Sequence, residues 1–262
     1  MSTAKDIIRQ VEKWSGHRLN KDEGVQHGTD DIPLTGVTVS WMATPNAIIA
    51  AGKKKHQLLL IHESLYYPYD VMQSKNPPAD WESWGVNTGR RELLEKYGLS
   101  CVRIHGSMDE ICILDDFAIL LGLGKPVFSD GLLKVYEIKP CSLGELTAKV
   151  KENLHMPALR VADGGNSKMI VRRVGLPWGG LGLFVNVGYQ QKLVEQKCDV
   201  FIAGESDSYG FRFAVESGIP MIETSHEISE NPGIQHFTQM MSEKFPAMEW
   251  QFHENINIWK MA

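Results

Sequence analysis

The sequence predicts an α/β fold of two lobes with largely parallel or mixed sheets, and three observations lead there. Short β-branched and leucine-rich runs alternate with stretches of helical spacing, the pattern of helices layered on mostly parallel strands. The alternation restarts after Gly124-Lys125-Pro126, dividing the 262 residues into lobes 1–128 and 129–262. Three of the apolar runs end in a histidine with a carboxylate close behind, where open α/β sheets gather ligands.

The elements follow in order. Residues 6–14 place Ile7, Ile8, Val11 and Trp14 at helical spacing. Residues 36–41 read as a strand, and 46–54 as a short helix capped by Thr44 or Asn46 beside Pro45. Leu58-Leu59-Leu60-Ile61 is a buried strand. A helix over 90–97 stops at Gly98, a residue suited to the left-handed turn past a helix end. Residues 102–104 form a strand, and 115–121 a helix stopped by Gly122. The second lobe reads as strand 134–138, helix 143–154, strands 158–162 and 169–174, helix 187–196 and strand 199–203. A helix near 211–217, strand 219–222 and helix 233–244 complete it, and no internal repeat is visible.

Composition bounds the function. A net charge of −5 excludes a general nucleic-acid binder, and Lys53-Lys54-Lys55 reads as solvated surface. No apolar run approaches the ~20 residues of a membrane span. The polar residues 2–5 do not resemble a signal peptide, so a cytoplasmic location is expected. Cys101, Cys112, Cys141 and Cys198 contain no CxxC pair and sit in or beside apolar stretches. Reduced, mostly buried thiols are expected, not a zinc ribbon.

The chemistry lies at the strand ends. Leu58–Ile61 runs into His62-Glu63, Cys101-Val102-Arg103-Ile104 into His105 with Asp109 four residues on, and the run from Pro220 into His226 with Glu230 four on. A four-residue separation on a helical turn puts His226 and Glu230 on one face. Mixed imidazole and carboxylate donors suit Zn, Mn or Fe better than Ca or Mg. Neither His62-Glu63-Ser64-Leu65-Tyr66 nor His226-Glu227-Ile228-Ser229-Glu230 is the HExxH of zincins. Each pair alone reads as a surface or capping feature; together they suggest one converging site.

Other features admit two readings each. The segment 175–182, Gly-Leu-Pro-Trp-Gly-Gly-Leu-Gly, is a tight turn or a loop lining a substrate cleft. Asp163-Gly164-Gly165-Asn166 is turn chemistry first and a ligand contact second. The aromatic segment 66–89 is a surface loop, a subunit contact or a lid. Trp14, Trp41, Trp178, Trp250 and Trp259 are core or interface anchors. His17, His27, His56, His155, His236 and His253 take no role.

From residue 36 onward the order of these motifs resembles the Nif-three-like dinuclear metal-centre family, whose bacterial members are often labelled GTP cyclohydrolase type 2 homologues. Leu59-Leu60-Ile61-His62-Glu63 matches its strand ending in two histidines; His105 with Asp109, Leu120-Leu121-Gly122-Leu123, Ala203-Gly204-Glu205, and His226 with Glu230 match its later motifs. Two departures stand out. Glu63 occupies the second histidine's place, and Trp41-Met42-Ala43 replaces a segment that usually carries an aspartate.

The resemblance implies two α/β lobes with a metal cleft between them, residues from about 220 returning His226 and Glu230 to the shared site. It further implies two divalent ions held by His62, Glu63, His105, Asp109, His226 and Glu230, and a hexameric ring as the homo-oligomer. Glu63 is either a ligand or a base beside a weakened metal position. Glu205 is a carboxylate that orients an imidazole or moves a proton, or a strand-end acid or helix cap. The expected function is a metal-dependent hydrolase of a small nucleotide-like, heterocyclic or phosphate-bearing substrate, with Glu63 or Glu205 handling the proton. The alternative is a non-catalytic metal-binding or metal-delivery protein that serves protein partners through its ring.

Overall fold

The structure is a computed structural model that describes residues 1–256 and 258. Trp259 lies outside the described residues. In chain order the first elements are α1 (Ala4–Ser15), β1 (Gly24–His27), β2 (Gly36–Ser40), α2 (Pro45–Lys53), β3 (Leu58–Ile61), α3 (Gly85–Tyr97), β4 (Ser100–Arg103) and the single turn α4 (Gly106–Met108). A π-helical turn over Asp109–Ile113 follows. Then come α5 (Leu114–Leu120), β5 (Phe128–Asp130), β6 (Leu133–Ser142), α6 (Leu143–Asn153), β7 (Arg160–Ala162), β8 (Ile170–Gly175) and α7 (Val187–Glu195). The last are β9 (Val200–Ala203), α8 (Ser208–Glu216), β10 (Met221–Glu223), α9 (His226–Lys244) and β11 (Glu249–His253).

These elements form two units. The first comprises Met1–Cys112 and Gly233–Asn255, with a sheet of order β1-β4-β3-β2-β11. Its pairs are parallel except β1 with β4. All four residues of β3 are buried, as expected of an inner parallel strand covered on both faces. Ile48 and Ala51 of α2, Leu94 of α3 and Leu59, Ile61 and Cys101 share one apolar cluster. Thr44 caps α2, its hydroxyl accepting from Ala47 N, with Pro45 in the first turn.

The second unit is built on Ile113–Pro232, around a mixed sheet of order β5-β6-β8-β9-β10-β7. β8-β9-β10 are parallel, while β5-β6, β6-β8 and β10-β7 are antiparallel. Its core joins Val135, Leu193, Phe201, Ala203, Ala214 and Met221.

Three strands escape the periodicity reading, and all three lie at sheet ends: β1 and β11 in the first sheet, β5 in the second. An edge strand has one neighbour and little burial, so it needs few apolar residues. The last helix also starts earlier than 233, at His226, with Pro232 in its interior. Proline removes one intrahelical bond and crowds the preceding turn, which masks such a helix in sequence. No helix among the described residues is long and apolar enough to cross a membrane. All four cysteines are free thiols, three of them buried, as expected.

Candidate metal centre

In the first unit the carboxyl ends of β3 and β4 deliver His62-Glu63 and His105. These three side chains each offer a donor atom, all within 4.8 Å of one another. His62 is fully buried, and its Nδ1 lies 3.2 Å from the Ile104 carbonyl. A carbonyl only accepts, so Nδ1 carries the proton and Nε2 is left as the donor to a cation. That Nε2 stands 3.9 Å from Asp109 Oδ1. Asp109 opens the π-helical turn, its amide bonded to the His105 carbonyl at 3.1 Å.

His105 is oriented in the same way by a residue the sequence reading passed over. Its Nδ1 donates to Asp22 Oδ2 at 2.8 Å, so Nε2 is the ring nitrogen that carries the lone pair a metal would take. The hydrogen bond to His105 holds the Asp22 carboxyl down at about 2, with neighbouring Arg103 adding to the effect. The adjacent Glu23 accepts from the amides of His105 and Ser107 at 2.7 and 2.9 Å and from the Ser107 hydroxyl at 2.7 Å. Asp22 and Glu23 sit in a loop before an edge strand, about eighty positions from their partners. Nothing in local spacing marks them.

The segment after Glu63 is tethered at its base. Buried Asn87 accepts from Tyr67 N at 2.9 Å and donates to the carbonyls of Tyr67 and Trp81, both at 2.7 Å. Asp70 and Ser64 bond reciprocally, hydroxyl to carboxylate at 2.8 Å and amide to hydroxyl at 3.0 Å. Tyr66 is buried in the apolar cluster, whereas Tyr69 is largely exposed with its hydroxyl 3.4 Å from His105 Nε2.

In the second unit His226 and Glu230 sit one turn apart at the start of α9, Nε2 to Oε1 at 3.4 Å. His226 Nδ1 donates to Glu205 Oε2 at 3.0 Å, so this imidazole too presents Nε2 as its donor. Facing a carboxylate oxygen, that lone pair calls for a cation or a second ring proton between them. Two glycines of segment 175–182, Gly179 and Gly180, pack against the pair. Gly179 has φ +51, and a Cβ there would meet Glu230 Oε1 at 2.0 Å. At Gly180 a Cβ would lie 3.2 Å from His226 Cε1. The Gly179 carbonyl accepts from Glu205 N at 2.7 Å and its amide donates to Ser229 Oγ at 3.0 Å. The segment is therefore a turn whose missing side chains admit His226 and Glu230. Asp163 makes an ordinary turn, accepting from Gly165 N at 2.8 Å.

In each unit the donors are imidazoles with Nδ1 already engaged, alongside carboxylates, a chemistry that fits a divalent ion of borderline softness.

The chain is similar to known proteins in both sequence and fold. The sequence model of the family described as Duf34/NIF3 (NGG1p interacting factor 3) matches residues 2–258. A protein of Neisseria meningitidis serogroup B named GTP cyclohydrolase 1 type 2 homolog is 24% identical over 84% of this chain and 84% of its own. A Staphylococcus aureus hypothetical protein shares the fold at a TM-score of 0.80 and 15% identity, covering 99% of each chain. A Bacillus cereus protein related to NIF3 does so at 0.79 and 14%, covering 100% of this chain and 99% of its own.

Proposed function

We propose that this chain, which belongs to the Duf34/NIF3 family, is a dinuclear-metal hydrolase of a small nucleotide-like, heterocyclic or phosphate-bearing substrate. The observation that supports it best is the shared orientation of His62, His105 and His226. Each commits Nδ1 to an accepting oxygen, and each Nε2 is left as a donor. The proposed ligands are these three with Glu63, Asp109 and Glu230. When bound, divalent ions acidify water and clamp an oxyanion or phosphate. Glu63, buried beside His62, contributes charge to the ligand set or accepts a proton within it. Glu205 orients His226 through Oε2, and its 46% exposed side chain leaves a route for a proton to solvent. The nucleotide class draws on the name of the Neisseria relative. The reading extends to a homo-oligomer, a hexameric ring, in a reducing cytoplasm where free thiols persist.

Hydrolysis of bis-p-nitrophenyl phosphate and of guanosine triphosphate, with Mn or Zn added and then chelated, tests the activity. Metal-dependent turnover that Asp109→Ala and His226→Ala abolish is expected. Turnover indifferent to both variants would overturn the assignment. Metal binding without turnover of any such ester would favour a metal-delivery role. Light scattering of the purified chain checks the hexamer.

A further inference from the structure

Arg103 is 1% exposed, on the last residue of β4. A buried guanidinium is expensive unless every donor is used, and an apolar residue of like volume would fill a strand position at lower cost. Its donors all lead toward the metal-binding side chains of the first unit. Nε donates to the His62 carbonyl at 3.0 Å. Nη1 binds Asp70 Oδ1 and lies 3.2 Å from Oδ2 of Asp22, the carboxylate that orients His105. Nη2 lies 3.9 Å from Glu63 Oε2 and donates at 3.0 Å to Tyr69 OH, whose oxygen is 3.4 Å from His105 Nε2. One cation thus touches His62 through its peptide and His105 through Asp22, and stands at ion-pair distance from Glu63.

We infer that Arg103 is a positioning residue for metal binding, a buried fork that fixes His62, Glu63 and His105 before an ion arrives. The inference rests on the metal-centre reading above. Its single charge offsets part of the negative charge of Glu63, Asp22 and Asp70, so a protein cation already holds these carboxylates in place before an ion adds the rest of the balance. The planar fork matters as much as the charge: an ammonium cannot reach a carbonyl, two carboxylates and a phenol in fixed directions.

Zn(II) and Co(II) titrations of the full chain test this, against Arg103→Lys, Asp22→Asn and the double variant, with urea midpoints reporting the fold. Loss of a supporting partner of this kind weakens metal affinity about 10–100-fold. Each single variant is expected to fall in that range and to alter the visible Co(II) bands. The double variant should lose less than the product of the two, because both act through one network. Folded single variants with unchanged affinity and unchanged bands would overturn the role of Arg103 while leaving the metal centre standing. A wild-type chain that binds neither ion would overturn the metal reading itself, and this inference with it. If Arg103→Lys does not fold, Asp22→Asn decides: unchanged affinity there overturns the inference.

Discussion

Replacing Gly179 by alanine isolates the packing that seats Glu230. Two penalties combine at this position. The backbone is left-handed, φ +51, which costs a residue with a Cβ about 1–2 kcal/mol. The added methyl would also stand 2.0 Å from Glu230 Oε1, so a buried carboxylate must shift. Overpacking of this kind adds about 1–3 kcal/mol. Gly98→Ala separates the two effects: its φ is +62, but nothing lies within 4 Å of the new Cβ, so only the backbone penalty applies. Gly180→Ala is a milder contact, 3.2 Å from His226 Cε1 without a positive φ. Urea midpoints should fall in the order Gly180→Ala, Gly98→Ala, Gly179→Ala, from least to most destabilised. Only the variants at 179 and 180 should weaken Zn(II) binding, the former more. A Gly179→Ala chain that matched Gly98→Ala in stability and wild type in Zn(II) affinity would refute the argument.

Three other perturbations have defined outcomes. Asn87→Ala removes three hydrogen bonds from a buried amide; a loss of about 2–3 kcal/mol and faster proteolytic nicking between residues 66 and 84 are expected. Burial pushes the thiols of Cys101 and Cys198 up, the latter to about 12, so iodoacetamide at pH 7.5 should label half-buried Cys141 first by mass spectrometry. Burial lowers the pKa of His56, whose Nδ1 pairs with Thr38 Oγ1 at 2.9 Å. The unfolded chain then binds the extra proton first, so stability falls as pH drops below 6.5, the ordinary value. The urea-midpoint gap between wild type and His56→Gln should therefore narrow from pH 8 toward about pH 5.5.

What the sequence revealed and what it hid divide along physical lines. β3 was visible as an unbroken apolar run buried on both faces, and β4 through the short apolar stretch around Val102 and Ile104, interrupted by one charge. Their histidines followed at once, since each stands where a run ends. His226 and Glu230 were visible through their four-residue spacing, although α9 itself was hidden behind Pro232. Asp22, Glu23 and Arg103 were not foreseen. The first two act across more than eighty positions from a polar loop. Arg103 offered one signal: a charged residue inside the run Cys101-Val102-Arg103-Ile104, where burial demands partners that only the fold identifies. The role of segment 175–182 was equally hidden, because Gly179 and Gly180 serve as space for Glu230 and His226, which only the fold brings beside them.

The central claim is that these side chains hold divalent metal as a pair of ions. Plasma mass spectrometry of the purified, untagged chain, after loading with Zn or Mn and exhaustive dialysis, measures this directly. About two ions per chain are predicted, with clear losses in His62→Ala and His226→Ala. A chain that retained at most one ion, or whose metal content neither substitution changed, would contradict it.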